Sequence, residues 1–346
     1  MRLLVTGGAG FIGSNFIRYI LKKDPDCNVV NLDKLTYAGN LESLKDMEDN
    51  QNCRFVHGDI TDAELVRGIM EEGIDVVINF AAESHVDRSI EDSFSFVGTN
   101  IQGTQVLLDA ARKCWRSDNN LFIQISTDEV YGSLGPDGLF VESTDLSPNS
   151  PYSASKAGAD MMARAYHETY GLPVIVTRCS NNYGFFQFPE KLIPLIITNA
   201  LEKKELPVYG DGGNVRDWIH VEDHCRAIEI LLRKGRPGSV YNIGGNNEWK
   251  NIDIVKLITE KMEKILKLES GELTSLIKFV KDRPGHDRRY AIDASKIKNE
   301  AGWEPVITFE DGIEKTIRWY INNRQWWTRI KQGEYMDYYD RNYLER

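Results

Sequence analysis

Tyr152 and Lys156 stand four residues apart, and on a helix that spacing stacks both side chains on one face. An ammonium beside a phenol favours the phenolate, drawing a pKa near about 10 toward the working range and making a base for a hydroxyl proton. Ser150-Pro151 just ahead reads as a helix start, a capping hydroxyl followed by proline at the first helical position. Thr127-Asp128-Glu129 adds a hydroxyl and two adjacent carboxylates. Neighbouring carboxyls can drive each other to different pKa values, so such a pair can serve as an acid and a base together.

A third constellation opens the chain. Leu3 to Thr6 reads as a buried strand running into Gly7-Gly8-Ala9-Gly10-Phe11-Ile12-Gly13, with Gly7, Gly10 and Gly13 at G-x-x-G-x-x-G spacing before a helix. Glycines there let the backbone turn tightly and approach a pyrophosphate, while the helix N–H groups face the anion. Asp33 follows the strand ending at Leu32, where a carboxylate accepts from both hydroxyls of an adenosine ribose and repels a 2′-phosphate. The cofactor expected is therefore NAD rather than NADP. Asp59-Ile60, after the third strand, is placed to sit beside the adenine.

These residues need a scaffold, and the first half of the chain has the pattern of one. Leu3–Thr6, Val29–Leu32, Arg54–Val56, Val76–Phe80, Leu121–Ser126 and Val174–Arg178 are short apolar runs read as buried strands. Ile12–Lys23, Asp62–Glu72, Thr99–Lys113 and Tyr152–Tyr170 lie between them with helical spacing. The alternation predicts a Rossmann-type α/β fold, a parallel sheet with helices on both faces. Thr127-Asp128-Glu129 then lies beyond a strand's carboxyl end, where open α/β sheets bind ligands. After about residue 180 the pattern loosens into Pro- and Gly-containing loops and a helix near Ile193–Lys203, predicting a smaller mixed α/β substrate domain. The helical Val221–Arg233 and strand-like Val240–Ile243 suggest one return to the first domain. The division expected is residues 1–182 with about 216–245 for the dinucleotide, and about 183–215 with 246–346 for the substrate.

Charge and composition narrow the partners. Forty-two Lys plus Arg against 52 Asp plus Glu leave a net charge of −10, which repels phosphate backbones and argues against nucleic acid. No run approaches the roughly 18 apolar residues of a membrane span, and Met1 to Gly8 breaks before a signal-peptide core could form, so a cytoplasmic protein is expected. Cys27, Cys53, Cys114, Cys179 and Cys225 show no C-x-x-C spacing and read as ordinary small apolar residues. His220 and His224 stand at i and i+4 without the H-E-x-x-H pattern or a third ligand motif, so no metal is expected. Trp326-Trp327 reads as core or interface packing.

Taken together, these runs resemble the extended short-chain dehydrogenase/reductases and, within them, the family of dTDP-glucose 4,6-dehydratases. The resemblance rests on Gly7 to Gly13, Asp33 to Asn40, Ala81 to Ser89, Thr127-Asp128-Glu129, Tyr152 with Lys156, and Asn181-Asn182-Tyr183-Gly184. It continues through Gln187 to Leu192, Arg216 to His220 and Asp282 to His286, spanning nearly the whole chain. One departure stands out: Phe185-Phe186 occupies the place where the family usually has Pro-Tyr, beside the expected sugar-nucleotide loop.

The resemblance implies loss of water from a nucleotide-linked hexose, with NAD bound tightly and regenerated in each turnover. Tyr152 would take the C4 hydroxyl proton, with Thr127 on the same oxygen and Lys156 holding tyrosine and ribose. Glu129 would remove the C5 proton and a protonated Asp128 would donate to the departing C6 hydroxyl. It further implies that Phe11, Ile12, Asp33, Lys34, Thr36, Asp59, Ile60, Ala81, Ser84, Thr99 and Asn182 line the NAD site. Ser84, His85, Asn181, Glu190, Lys191, Leu192, Pro207, Tyr209, Arg216, Asn251, Arg283 and His286 would hold the sugar nucleotide, Lys191, Arg216 and Arg283 supplying local positive charge. Two rivals stay open: another nucleotide-sugar dehydratase or 4-epimerase, and a silent NAD-sensing scaffold. Asp128 and Glu129 argue against the epimerase, and the intact Tyr152, Lys156 and acid pair against the scaffold. Thr99–Lys113 and Met161–Tyr170 continue helical patterns beyond what one sheet face needs, so a homodimer is expected.

Overall fold

The computed structural model describes residues 1–117, 119–282 and 286–332. Its strands are β1 (Arg2–Thr6), β2 (Asn28–Asp33), β3 (Cys53–His57), β4 (Val76–Asn79), β5 (Leu121–Thr127), β6 (Val174–Cys179), β7 (Asn181–Tyr183), β8 (Leu206–Tyr209), β9 (Val215–His220), β10 (Val240–Ile243), β11 (Glu248–Lys250) and β12 (Ile277–Val280). Seven of them form one sheet in the order β10-β6-β5-β4-β1-β2-β3. Every pairing in it is parallel. Chain order reverses between β1 and β4, and open α/β sheets bind ligands in the crevice at such a reversal.

Successive residues of a strand point to opposite faces, which explains why the inner runs are apolar throughout; Arg54–Val56, expected to be buried, forms the edge strand β3 and leaves Arg54 and Phe55 exposed. Leu3, Val5, Val76, Ile78 and Ile123 enter one core with Phe16, Ile17 and Ile20 of the Phe11–Lys23 helix and Ile228 and Leu231 of the Val221–Lys234 helix. Leu4, Val30, Val77 and Phe122 enter the other with Val66, Ile69, Leu107, Leu108, Ala163 and Tyr166. The sheet is thus covered on both faces, as its sequence pattern predicts.

A third core lies in the later part of the chain. The helices Leu192–Leu201, Asn251–Leu266 and Phe309–Asn322 pack Ile193, Ile196, Ile254, Ile258, Ile313 and Ile317 around β8 and β9. Trp326 and Trp327 belong to this core. Its strands form two small sheets, β11-β9-β7 and β12-β8. After β9 the chain returns to the large sheet through the Val221–Lys234 helix and β10, which pairs with β6.

Local chemistry sets the ends of the elements that carry the site. Ser150 caps the Pro151–Tyr170 helix through the Ser153 N–H at 3.1 Å, and Ser153 returns its hydroxyl to the Ser150 N–H at 3.0 Å, a reciprocal capping box. Gly171, at φ +68°, ends that helix. The helical stretch expected from Thr99 begins instead as a π-helical turn over Val97–Gly103 and becomes α-helical only at Thr104. Within the turn Asn100 points inward, where Oδ1 accepts from Glu83 N at 2.9 Å and Nδ2 donates to Ser155 Oγ at 2.7 Å.

Candidate active site

The glycine loop is built for close approach. Gly7 has φ +67°, and a Cβ on it would lie 2.6 Å from Ala81 N; a Cβ on Gly13 would lie 2.4 Å from the Gly7 carbonyl oxygen. No side chain caps the Phe11–Lys23 helix at Gly10, so its first N–H groups face the crevice. Asp33, buried at the end of β2, ties this loop down: Oδ2 accepts from Ala9 N at 2.9 Å and Oδ1 from Leu35 N at 2.8 Å. Burial pushes its carboxyl up, and those two N–H groups pull it back. Lys34 pairs with Asp59 at 2.7 Å, holding the Asp59 carboxyl below its usual range against the opposing effect of burial.

From this loop a cavity of about 310 Å³ runs along the carboxyl ends of β1, β4, β5 and β6. It gathers every residue expected at the cofactor: Gly7, Gly10, Phe11, Ile12, Gly13, Asp33, Lys34, Thr36, Asp59, Ile60, Ala81, Ser84, Thr99, Tyr152, Lys156 and Asn182. Thr127, Asp128 and Glu129 line it as well, with Asn181, Glu190 and Lys191. A glycine cradle that a Cβ would fill, a carboxylate at the end of β2 and a cleft along the switch point fit a dinucleotide.

The remaining substrate candidates lie beyond this cavity. His85 sits behind its wall, with Nε2 3.8 Å from Glu190 Oε1. Leu192 begins the helix that follows, Pro207 and Tyr209 stand on β8, and Tyr209 bonds Asp87 at 3.4 Å. Arg216 donates to the carbonyls of Val215 at 2.7 Å and Asp287 at 2.8 Å and stacks on the Tyr290 ring. Asn251 starts the Asn251–Leu266 helix, and His286 bonds Asp282 at 2.6 Å. Arg283 falls outside the described residues. The cavity also takes in residues that pattern reading passed over: Tyr37, Glu83, Cys179, Gln187 and Phe188. Tyr37, Glu83, Gln187 and Phe188 sit inside the matched runs. Cys179 carried no signal, since a cysteine ending a buried strand reads as packing.

The catalytic candidates meet where β5 ends. Thr127 caps the turn Asp128–Tyr131, accepting from Glu129 N at 3.3 Å and donating to Asp128 Oδ1 at 3.3 Å. Asp128 is buried; that burial, then the carboxylates of Glu129 and Asp217, push its carboxyl well above the usual range, with only Arg216 and Thr127 opposing. Its surroundings thus favour the protonated form, the form an acid needs. Tyr152 is packed edge-on to Phe96, ring centroids 6.2 Å apart.

The expected lowering of the Tyr152 phenol by Lys156 is not what the geometry gives. Burial, then Glu129, hold that phenol well above its ordinary value. Lys156 instead donates Nζ to the Ile125 carbonyl at 2.6 Å, and burial lowers its own pKa. At the cleft's other wall Asn182 donates Nδ2 to Ser180 O at 3.0 Å, and its Oδ1 lies 2.9 Å from Nδ1 of the buried His224. Burial lowers the His224 pKa to about 3, so the ring is neutral and Nδ1 is the donor.

This sheet order, the glycine cradle and a Tyr–Lys pair one helical turn apart define the class, an extended short-chain dehydrogenase/reductase. A family model described as GDP-mannose 4,6 dehydratase matches residues 4–316. The chain is 52% identical to the dTDP-glucose 4,6-dehydratase of Salmonella typhimurium over 100% of both chains. It is 54% identical to that of Xanthomonas campestris over 96% of each. The crystal structure of the Bacillus anthracis dTDP-glucose 4,6-dehydratase in complex with NAD superposes with a TM-score of 0.86 at 52% identity, covering 96% of this chain and 100% of that one. The Streptomyces venezuelae enzyme with NAD bound gives a TM-score of 0.89 at 50% identity and the same coverage. A UDP-glucuronic acid 4-epimerase from Bacillus cereus stands further off, at 30% identity and a TM-score of 0.83. The chain belongs to the dTDP-glucose 4,6-dehydratase family.

Proposed function

We propose that this chain is an NAD-dependent lyase that converts dTDP-glucose to dTDP-4-keto-6-deoxyglucose and water. The observation that carries the reading is Asp128, a buried carboxyl beside Glu129 in the same cleft as Tyr152, where burial and its neighbours favour the protonated form. A 4-epimerase has no water to expel and no use for such a pair. When bound, NAD supplies transient oxidation at C4 of the hexose and reduction at C6.

The residues divide the proton work. Tyr152 takes the C4 hydroxyl proton while Thr127 hydrogen-bonds the same oxygen. Burial and Glu129 hold the Tyr152 phenol up, so the step needs an offsetting positive charge, a role we assign to Lys156, one turn along the same helix with its Nζ on the Ile125 carbonyl. The C4 ketone acidifies the C5 proton, which Glu129 removes. Asp128 gives its proton to the C6 hydroxyl as it leaves as water, and a proton then returns to C5. Asp33 and the glycine cradle hold the adenosine and pyrophosphate of the cofactor. Glu190 and Lys191 at the cleft, Tyr209, Arg216, Asn251 and His286 beyond it, and Arg283, which lies outside the described residues, hold the nucleotide diphosphate and sugar.

Two lobes serve these tasks. Residues 1–182 with about 216–245 bind NAD and about 183–215 with 246–346 bind the sugar nucleotide, a division supported by the separate core of the Leu192–Leu201, Asn251–Leu266 and Phe309–Asn322 helices around β8. No helix among the described residues is long and apolar enough to cross a membrane, and the reading places the enzyme in the cytoplasm. The helices flanking Tyr152 expose Phe94 (86%), Val97 and Met161, an apolar face that supports a homodimer.

Incubating the purified chain with dTDP-glucose tests the function. A product lighter by one water, carrying a C4 ketone, is expected, with NAD released on denaturation. Recovery of a C4-epimerised sugar, or NADP in the supernatant, overturns the reading.

A further inference from the structure

Outside the cleft, Asp160 on the catalytic helix and Arg178 on β6 form a buried ion pair. Arg178 Nε lies 2.9 Å from Asp160 Oδ2, with side-chain exposures of 4% and 1%. Arg178 Nη1 also donates to the Tyr131 hydroxyl at 2.9 Å, and that hydroxyl donates to Asn242 Oδ1 at 2.8 Å. The chain of contacts thus runs from the Pro151–Tyr170 helix through β6 and the turn after β5 to β10. A buried ion pair is a poor way to gain stability, since apolar residues of similar volume commonly do as well or better. Its position suggests another reason. Tyr152, Lys156 and Asp160 recur every four residues, so they stack on the one face of the helix that packs on β5 and β6.

We infer that Asp160 is a positioning residue for Lys156: its carboxylate, one turn further along the same helix face and held by Arg178, keeps the Lys156 ammonium charged. The inference rests on the role proposed above for Lys156. The groups around that ammonium are few. Asp160 and Tyr152 lie on its own helix, Cys179 faces it from β6, and Asp128 and Glu129 line the same cleft from the end of β5. Burial works to discharge Lys156; the Asp160 carboxylate works against it, followed by Cys179. Cys179 is itself pushed up to about 12 by burial and Asp128, so it is a neutral thiol and Asp160 is the effective counter-charge on this side. Burial raises the Asp160 pKa too, and the Arg178 guanidinium opposes that rise without cancelling it. A neutral Lys156 would neither favour the Tyr152 phenolate nor hold an anion.

The test compares the wild type with Asp160→Asn, Asp160→Glu and the double variant Asp160→Asn/Arg178→Met, which leaves no unpaired guanidinium should the single variant fail to fold. Two quantities are followed across about pH 6 to 10, kcat for dTDP-glucose and the fraction of NAD retained after gel filtration. In the Asn and double variants the alkaline loss of both should begin at least about one pH unit lower, the shift expected when a nearby opposite charge is removed. Asp160→Glu should restore the wild-type midpoint. Midpoints unchanged from the wild type, whatever the loss in rate, overturn the proposal and leave Asp160 a packing residue. If the wild type itself fails to turn over dTDP-glucose, the reading of the function falls, and the NAD-retention midpoints alone decide the role of Asp160.

Discussion

Asn15 on the first helix of the large sheet donates through Nδ2 to the Phe185 carbonyl at 2.9 Å, across 170 residues of sequence. The contact joins the element that starts the dinucleotide cradle to the loop that leads into Glu190 and Lys191. Phe186 completes the junction. It adopts φ +63° and packs on Trp319 and Trp326, with ring centroids 4.6 and 5.6 Å away, while the Arg18 guanidinium lies 4.0 Å over its ring. The pair that departs from the family pattern thus anchors the loop, and the aromatic packing offsets a left-handed backbone that costs roughly 1–2 kcal/mol.

Phe186→Ala should therefore destabilise the fold by about 1–3 kcal/mol, less than a fully buried phenylalanine would. Guanidinium unfolding measures this. Because the loop carries Glu190 and Lys191, KM for dTDP-glucose should rise more than kcat falls, and NAD content should stay at the wild-type level.

Glu129 and Asp128 should separate by step. Glu129→Gln removes the C5 base, so oxidation at C4 persists while exchange of the C5 hydrogen with heavy water is lost. Asp128→Asn keeps exchange and slows loss of water, since an amide gives up no proton. Each loss should reach on the order of a hundredfold or more. Mass spectrometry of substrate recovered from deuterium oxide reads both, and wild-type exchange by Glu129→Gln would remove the acid pair from the mechanism.

Tyr152→Phe keeps the ring packed on Phe96 and removes the group that takes the C4 proton. Turnover should fall by at least about a hundredfold, with NAD retained and no NADH absorbance on adding substrate. Rapid NADH formation would assign the base elsewhere.

His224 gives a stability signature. Unfolded, its imidazole titrates at 6.5, and folded, burial lowers it to about 3. Between those values the unfolded chain binds a proton the folded chain does not, so the histidine's contribution to stability is full above 6.5 and falls as the pH drops. At about 1.4 kcal/mol per pH unit, the wild type should lose roughly 2 kcal/mol relative to His224→Gln between pH 7 and 5. Taking the difference cancels the buried carboxyls, which act in the opposite sense. Parallel melting curves across that range would show that the ring is charged or exposed in the fold.

The large sheet was legible because its inner strands are apolar on both faces and most of the gaps between strands carry a helix; β3, at the edge, is half exposed and follows only a short 3-10 turn. The cofactor cradle and Asp33 were legible for the same local reason, since strand, turn and helix lie together in sequence. What local pattern could not show was assembly across distance. β7, β9 and β11 are short strands whose pairing depends on segments tens of residues apart. The effect of Lys156 on Tyr152 misled because side-chain adjacency along a helix ignores burial and the Glu129 carboxylate, which arrives from another strand. Asp217 was legible as part of a matched run, yet its influence on Asp128 required β9 and the end of β5 to be brought together.

The large sheet closes late. Its outermost strand on one side, β10, is Val240–Ile243, while its neighbour β6 ends at Cys179. During synthesis β6, an apolar strand, has no outer partner until some sixty further residues have emerged, several seconds at about 5–20 residues per second. Through that interval the nascent chain presents an unpaired parallel edge, a template for any other extended segment. The stretch made meanwhile supplies β7, β8 and β9 of the two small sheets, so pausing before residue 240 prolongs exposure of the edge while the chain that will cover it is still to come. Translation rate through this insert is therefore a further control on how much of the protein reaches its native form.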